Sequence, residues 1–186
     1  MPAETYNLQD FIADVDRIAR AETAAEVITG RVSPLLARLV KNPDAVPPPF
    51  RRRTPEGKRG RYMLHRAPHF DVTSVVWVPG DTAGAHNHAT WGVIGVVDNE
   101  IQETRYRVTP GGCGPAHVEV KDVFRHRAGA VSCLTPEDEI HAMHNPTERD
   151  TVEIHVYGKD LAGLERKTWA ADGTEKRMVS PKYLNC

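Results

Sequence analysis

From Arg61 to Tyr157 the chain is a succession of short runs rich in Val, Ile, Thr and aromatic residues, separated by Gly, Pro and Asp. The runs are Arg61–His65, Phe70–Val78, Val93–Val97, Ile101–Val108, His117–Val120, Ala130–Leu134 and Thr151–Tyr157. Segments this short and this closely spaced pair with their neighbours as strands, so the pattern predicts a mainly β protein built as an antiparallel sandwich or barrel.

Ahead of this region the hydrophobic period changes. Leu8, Phe11, Ile12, Val15, Ile18 and Ala19 recur at helical spacing and predict a helix with one apolar face. Leu35, Leu36, Leu39 and Val40 predict a second helix that starts at Pro34, with Ser33 as its N-cap. Pro43, Pro47, Pro48, Pro49 and Pro55 then break regular structure and predict a surface connector reaching to about Gly60. The expected division is N-terminal helices over 1–45, a Pro-rich connector over 46–60 and a barrel over 61–186, in one structural domain.

The 24 basic and 25 acidic residues balance, which gives no electrostatic basis for nucleic acid or membrane as the main partner. Arg51, Arg52, Arg53, Lys58, Arg59 and Arg61 form a local basic run, read as a solvated loop. The N-terminus lacks a basic flank followed by an apolar core, and no stretch approaches the ~18 apolar residues of a membrane span. Cys113, Cys133 and Cys186 are scattered, odd in number and without CxxC spacing. They read as reduced thiols of a cytoplasmic protein, which excludes a disulfide framework and a zinc finger. Oligomeric state is not legible in the sequence.

All nine histidines fall between His65 and His155, within the strand-rich region. His86 and His88, one residue apart, would share a face of one strand, and His141 on a neighbouring strand would complete a set of three nitrogens. Such a set leaves coordination positions open, as catalytic metals require. Gly80 to His88 reads G-x5-H-x-H, and Pro136 to Asn145 reads P-x4-H-x3-N. Together these resemble the two signature motifs of the cupin family, which implies a jelly-roll (double-stranded β-helix) barrel with a metal inside.

Two departures from the pattern stand out. No carboxylate occurs in Ala89-Thr90-Trp91-Gly92-Val93, where a glutamate ligand is usual, and Asp138 replaces the second motif's glycine. Three neutral imidazoles leave the metal's full charge in place, favouring anionic ligands, and suit iron, zinc, copper and nickel alike. His144 competes with His141 for the third place, and the H-x3-N match favours His141.

Glu153, His155 and Tyr157 alternate with Ile154 and Val156 and so share one strand face. With this cluster the chain resembles the thiol dioxygenases, the cysteine dioxygenase family of cupins, from about Arg61 to Arg166. H-x-H-x-x-W-G-V-x-G (His86 to Gly95) and I-H-V-Y-G (Ile154 to Gly158) are most similar to the bacterial 3-mercaptopropionate dioxygenase branch. The resemblance implies ferrous iron, Fe(2+), on His86, His88 and His141. It also matches His155 and Tyr157 to the last two members of a Ser-His-Tyr triad, with Glu153 standing where serine is usual. A carboxylate there would hold His155 more strongly by charge attraction.

By the same resemblance, Arg61 and Arg166 fall where two branches of the family place a carboxylate-binding arginine. The implied reaction takes a small carboxylate-bearing thiol and O2 to a sulfinic acid, with no external reductant. If both arginines face inward, a dicarboxylate thiol such as mercaptosuccinate becomes a candidate. No cysteine follows His88 in the place that forms a Cys–Tyr cross-link in some relatives, so Tyr157 should be an unmodified phenol. A non-catalytic cupin that binds metal or a small acid, and an isomerase or other metal cupin, are the competing readings.

Overall fold

The computed structural model describes residues 6–186 apart from residue 113; Cys113 therefore lies outside the described residues, while Cys133 and Cys186 are unpaired. Helix α1 (Leu8–Ala21) begins at a reciprocal cap: the Asn7 side chain accepts from the Gln9 and Asp10 N–H groups, and Asp10 accepts from the Asn7 N–H. Its buried residues Phe11, Ile12, Val15 and Ile18 belong to the expected stripe.

Helix α2 (Ala25–Leu39) begins well before the expected start and carries Pro34 in its interior. Ser33 is thus an interior residue and not a cap. An interior proline costs about 3 kcal/mol, but Ile28, Val32, Leu36 and Leu39 form a buried stripe. Each such side chain returns roughly 1.5–3 kcal/mol on burial, so tertiary packing wins. The stretch expected as a surface connector is partly interior as well. Ala45 and Val46 are fully buried, and a 3-10 turn at Pro48–Phe50 brings the Phe50 carbonyl to the Ser74 hydroxyl at 2.8 Å. Apolar side chains between the prolines fill the space beneath the helices.

Among the described residues eleven strands follow: β1 (Gly60–Arg66), β2 (Asp71–Trp77), β3 (Thr82–His86), β4 (Gly92–Asp98), β5 (Glu100–Thr109), β6 (His117–Arg127), β7 (Val131–Leu134), β8 (His141–His144), β9 (Thr151–Tyr157), β10 (Glu165–Trp169) and β11 (Glu175–Val179). They form a five-stranded sheet, β1-β2-β9-β4-β7, and a six-stranded sheet, β11-β10-β3-β8-β5-β6, with antiparallel pairings throughout. This is the expected jelly-roll barrel with two helices ahead of it. Strands β3, β8, β10 and β11 were not among the predicted runs, and β6 extends well past Val120.

Strands β2 and β9 are buried at every position, because each has a different neighbour on either face. Val72, Val76, Val152, Ile154 and Val156 pack with Phe11, Ile28, Leu36 and Leu39 of the helices in one core cluster. The alternate residues, including Thr73, Val75, Trp77, His155 and Tyr157, line a cavity that also meets β3, β8 and β10. The helices seal the outside of one sheet, and the site lies between the two sheets. No helix among the described residues is long and apolar enough to cross a membrane.

Candidate metal centre

His86 ends β3 and His141 opens β8, and the two stand directly opposite each other in the antiparallel register. His88 lies two residues beyond, past the end of the strand. The chain turns there, with Ala89 in the left-handed region at φ 55°, and Glu139 accepts from the His88 and Ala89 N–H groups at 2.7 and 2.8 Å. The sharing of one face by His86 and His88 is therefore produced by this clamped turn and not by strand alternation, as the spacing had suggested. The three rings have centroids 4.9–5.0 Å apart, and one ligand nitrogen from each lies within 4.8 Å of the others.

The second ring nitrogens support a metal-binding role. His86 Nδ1 meets the Gly84 carbonyl at 2.7 Å, and His141 Nδ1 meets Glu103 Oε1 at 2.7 Å. A neutral imidazole that donates from Nδ1 presents the Nε2 lone pair, the orientation a metal ligand requires. Burial pushes His86 and His88 well below the usual histidine range, with the neighbouring rings and Arg166 adding to the effect. The neutral form is the ligating form. His88 Nδ1 is buried with no hydrogen-bond partner among the described residues. The donor set thus fits a metal ion, and among the described residues no carboxylate joins the cluster.

Glu103 anchors this arrangement and carried no recognisable signal in the sequence. Burial would raise its carboxyl, but the hydrogen bonds from His126 and His141 and the charge of Arg105 outweigh that and hold it well below the carboxylate range. Arg105 lies 2.8 Å from Oε1 and donates to the Asp138 and Cys133 carbonyls and to Ser132 Oγ. The two motifs are joined by backbone bonds from Gly80 N–H to Asn145 O and from Asn145 N–H to Asp81 O. Asn145 Nδ2 donates to the Trp77, Val78 and Arg149 carbonyls. The motif's asparagine is a structural anchor and not a member of the three-histidine cluster.

On the opposite wall Glu153, His155 and Tyr157 form one hydrogen-bonded chain. Trp77 Nε1 donates to Glu153 Oε2 at 2.6 Å, His155 Nε2 meets the same oxygen at 2.9 Å, and His155 Nδ1 meets the Tyr157 hydroxyl at 2.9 Å. Glu153 is fully buried, and Trp77 is the partner that sequence reasoning missed. The Tyr157 ring stacks on His88 with centroids 4.9 Å apart and planes 17° from parallel. Burial pushes its phenol above the usual tyrosine value, so the hydroxyl keeps its proton. Gly92 pairs with Tyr157 in the register, and a Cβ there would sit 2.7 Å from the Tyr157 ring. Glycine makes room for the phenol and offers it no sulfur; the Cys133 thiol instead meets the Thr29 carbonyl.

The cavity measures about 610 Å³ and is lined by the three imidazoles, His155, Tyr157, Arg61 and Arg166. Arg166 is buried and donates from Nε to Ser180 Oγ at 2.8 Å and from Nη1 to the Asn87 carbonyl at 2.5 Å. Arg61 is half-buried and donates from Nη1 to the Pro181 carbonyl at 2.8 Å. Residues 51–59 form a loop in which Arg52, Arg53 and Lys58 are exposed, as expected, and at its end Lys58 and Arg59 also line the cavity rim. Arg59 is clamped by Asp81 through two bonds and lies over the Trp77 ring at 3.8 Å. His144 lies on the other face of β8 from His141, His65 packs at a tilt against Phe70, and His69 is exposed.

No family model matches the chain. Solved structures resemble it over about three-fifths of its length. The TT1209 protein from Thermus thermophilus is 15% identical, with a TM-score of 0.46 over 60% of this chain and 91% of that one. A cupin superfamily protein from Desulfitobacterium hafniense DCB-2 is 10% identical, with a TM-score of 0.43 over 59% and 82%. An oxalate oxidase in complex with glycolate is 17% identical, with a TM-score of 0.41 over 57% and 53%. Fold and site, on their own strand order and geometry, define the class: a jelly-roll barrel protein with a three-histidine pocket able to hold a metal ion.

Proposed function

We propose that the protein is an iron(II)-dependent thiol dioxygenase that converts a small carboxylate-bearing thiol and O2 to the sulfinic acid. The observation that carries this reading is the buried Glu153–His155–Tyr157 chain, whose phenol stacks on His88 in the cavity that the Arg61 and Arg166 guanidiniums also line. A module that only bound metal or acid would need the guanidiniums but not an oriented phenol beside the ligand set. Ferrous iron on His86, His88 and His141 would supply the one-electron chemistry that joins dioxygen to sulfur.

The chain's own groups have separate tasks. A guanidinium of Arg61 or Arg166 receives the substrate carboxylate through paired hydrogen bonds and so fixes where the sulfur sits. His155 bridges the Glu153 carboxyl group through Nε2 and the Tyr157 hydroxyl through Nδ1, and this hydrogen-bonded chain sets the phenol's rotation. Val75, Met143 and Leu161 line the same cavity and limit water around the reacting groups. Atoms balance without a co-reactant, since RSH and O2 together give RSO2H and the sulfur supplies the electrons.

A second substrate reading follows from both arginines lining one cavity: a dicarboxylate thiol, such as mercaptosuccinate, would engage both. The test is metal analysis followed by oxygen uptake with 3-mercaptopropionate, cysteine and mercaptosuccinate. The reading expects iron-dependent uptake with at least one of them and sulfinate as product. No thiol-dependent uptake by iron-loaded protein would leave a metal-binding or acid-binding module, or an enzyme of another metal.

A further inference from the structure

We infer that the segment after β11, residues 180–185, is a strap that positions the Arg61 and Arg166 guanidiniums and so selects carboxylate-bearing ligands. The inference rests on the reading of Arg61 and Arg166 as carboxylate receptors. β11 is an edge of the six-stranded sheet and β1 an edge of the five-stranded sheet, and the strap crosses from one to the other. Its first residue, Ser180, is 2% exposed. The Ser180 N–H donates to the Leu164 carbonyl and its carbonyl accepts from the Gly163 N–H, at 3.2 and 3.0 Å, fixing it to the turn before β10. From there its hydroxyl accepts from Arg166 Nε.

The rest of the strap holds Arg61. The Pro181 carbonyl accepts from Arg61 Nη1, and the Arg61 guanidinium carbon lies 5.1 Å from the Tyr183 ring centroid, within cation–π range. The Leu184 N–H donates to the Arg61 carbonyl at 2.8 Å. Asn185 pairs through its side chain with both the Met63 N–H and the Met63 carbonyl, each at 2.9 Å. The strap thus docks along the free edge of β1 as a further strand would.

The like charges of Arg61 and Arg166 in one cavity repel, and without fixed acceptors each side chain would turn toward water. The strap supplies one acceptor to each guanidinium. It occupies Arg166 Nε and Arg61 Nη1, and the Asn87 carbonyl takes Arg166 Nη1. Among the described residues Arg166 Nη2 and Arg61 Nη2 meet no hydrogen-bond partner. An anion entering the cavity therefore meets two oriented donors whose ordering cost is already met by the fold, which raises affinity without adding contacts.

Calorimetric titration of the full chain with succinate tests this without relying on turnover. Wild type is expected to bind succinate, and Arg61→Ala and Arg166→Ala to weaken that binding. Ser180→Ala and Tyr183→Leu should each weaken it about tenfold, the scale of one charge-assisted bond. Ser180→Thr, which keeps the hydroxyl, should bind as wild type does, and melting curves identify any variant that has lost its fold. Wild-type affinity in both Ser180→Ala and Tyr183→Leu, or no succinate binding by wild type, would overturn the strap. The oxygen-uptake assay reports separately: succinate binding without thiol oxidation keeps the strap and retires the dioxygenase reading, and thiol oxidation with strap-independent binding does the reverse.

Discussion

Two buried carboxylates, Glu103 and Glu153, set the orientation of imidazoles on opposite walls of the cavity, one behind His141 of the three-histidine cluster and one behind the phenol. Replacing Glu103 by glutamine removes the charge that orients His141, and the metal affinity should fall about 10- to 100-fold; competition with a chelating dye measures it. An unchanged affinity would mean that His141 is held by its strand alone. Asp71 is another buried carboxyl, and its prediction concerns stability. Burial, then the charge of Asp160, push it from its usual 3.8 up to about 6, against the pull of Arg66. The folded state therefore holds the proton more tightly than the unfolded chain does. Its contribution is favourable below the unfolded value and is lost as pH rises through about 6, leaving a cost of roughly 2–3 kcal/mol near pH 8. Asp71→Asn should then raise the melting temperature by several degrees at pH 8 and by little at pH 4. An equal gain at both would refute the linkage. At this scale the convergence of His86, His88 and His141 was legible from motif spacing, and the shared face of His155 and Tyr157 from strand alternation. Glu103 was not, since a glutamate among Gln102, Thr104 and Arg105 reads as a polar outer face until pairing shows which side is enclosed.

Strands that could be read in advance have strong local preference, and those that could not are held by their partners. Thr151–Tyr157 is rich in β-branched residues with clean alternation, and its observed bounds equal the predicted ones. Thr82-Ala83-Gly84-Ala85-His86 and His141-Ala142-Met143-His144 contain small residues with little strand preference. They exist as β3 and β8 because they pair with each other, with β5 and with β10, which places two of the three imidazoles on elements that local propensity alone would not form. β10 and β11 were obscured by their charges, among them Glu165, Lys167, Glu175 and Arg177, suited to an exposed ribbon at a sheet edge. Helix α2 shows the same override. Pro34 is exposed and makes no part of the buried stripe, so Pro34→Ala should restore a helical N–H without disturbing the core. Stability should rise by about 1–3 kcal/mol, seen as a higher urea midpoint at unchanged slope. A loss would show that the proline is itself a packing contact.

Over the whole molecule the charges nearly cancel, yet their distribution is uneven. Lys58, Arg59, Arg61 and Arg166 line the cavity, and of these Arg59 is neutralised by Asp81. Elsewhere in the basic run, Arg53 pairs with Asp150 and Arg51 lies near Asp98. The positive field is therefore concentrated where a small anion would enter, between low-dielectric walls that focus it. At physiological ionic strength the screening length is about 8 Å, short enough for salt to weaken this attraction at the rim while leaving the buried guanidinium contacts largely intact. An anionic thiol such as 3-mercaptopropionate should accordingly show a kcat/KM that falls as salt is raised. Lys58→Glu should lower kcat/KM severalfold at low salt and flatten that dependence, while uncharged 2-mercaptoethanol should respond to neither change. If both thiols responded alike, the rim charges would be acting on the fold and not on the approach of the anion, and the uneven field would have no part in selecting the substrate.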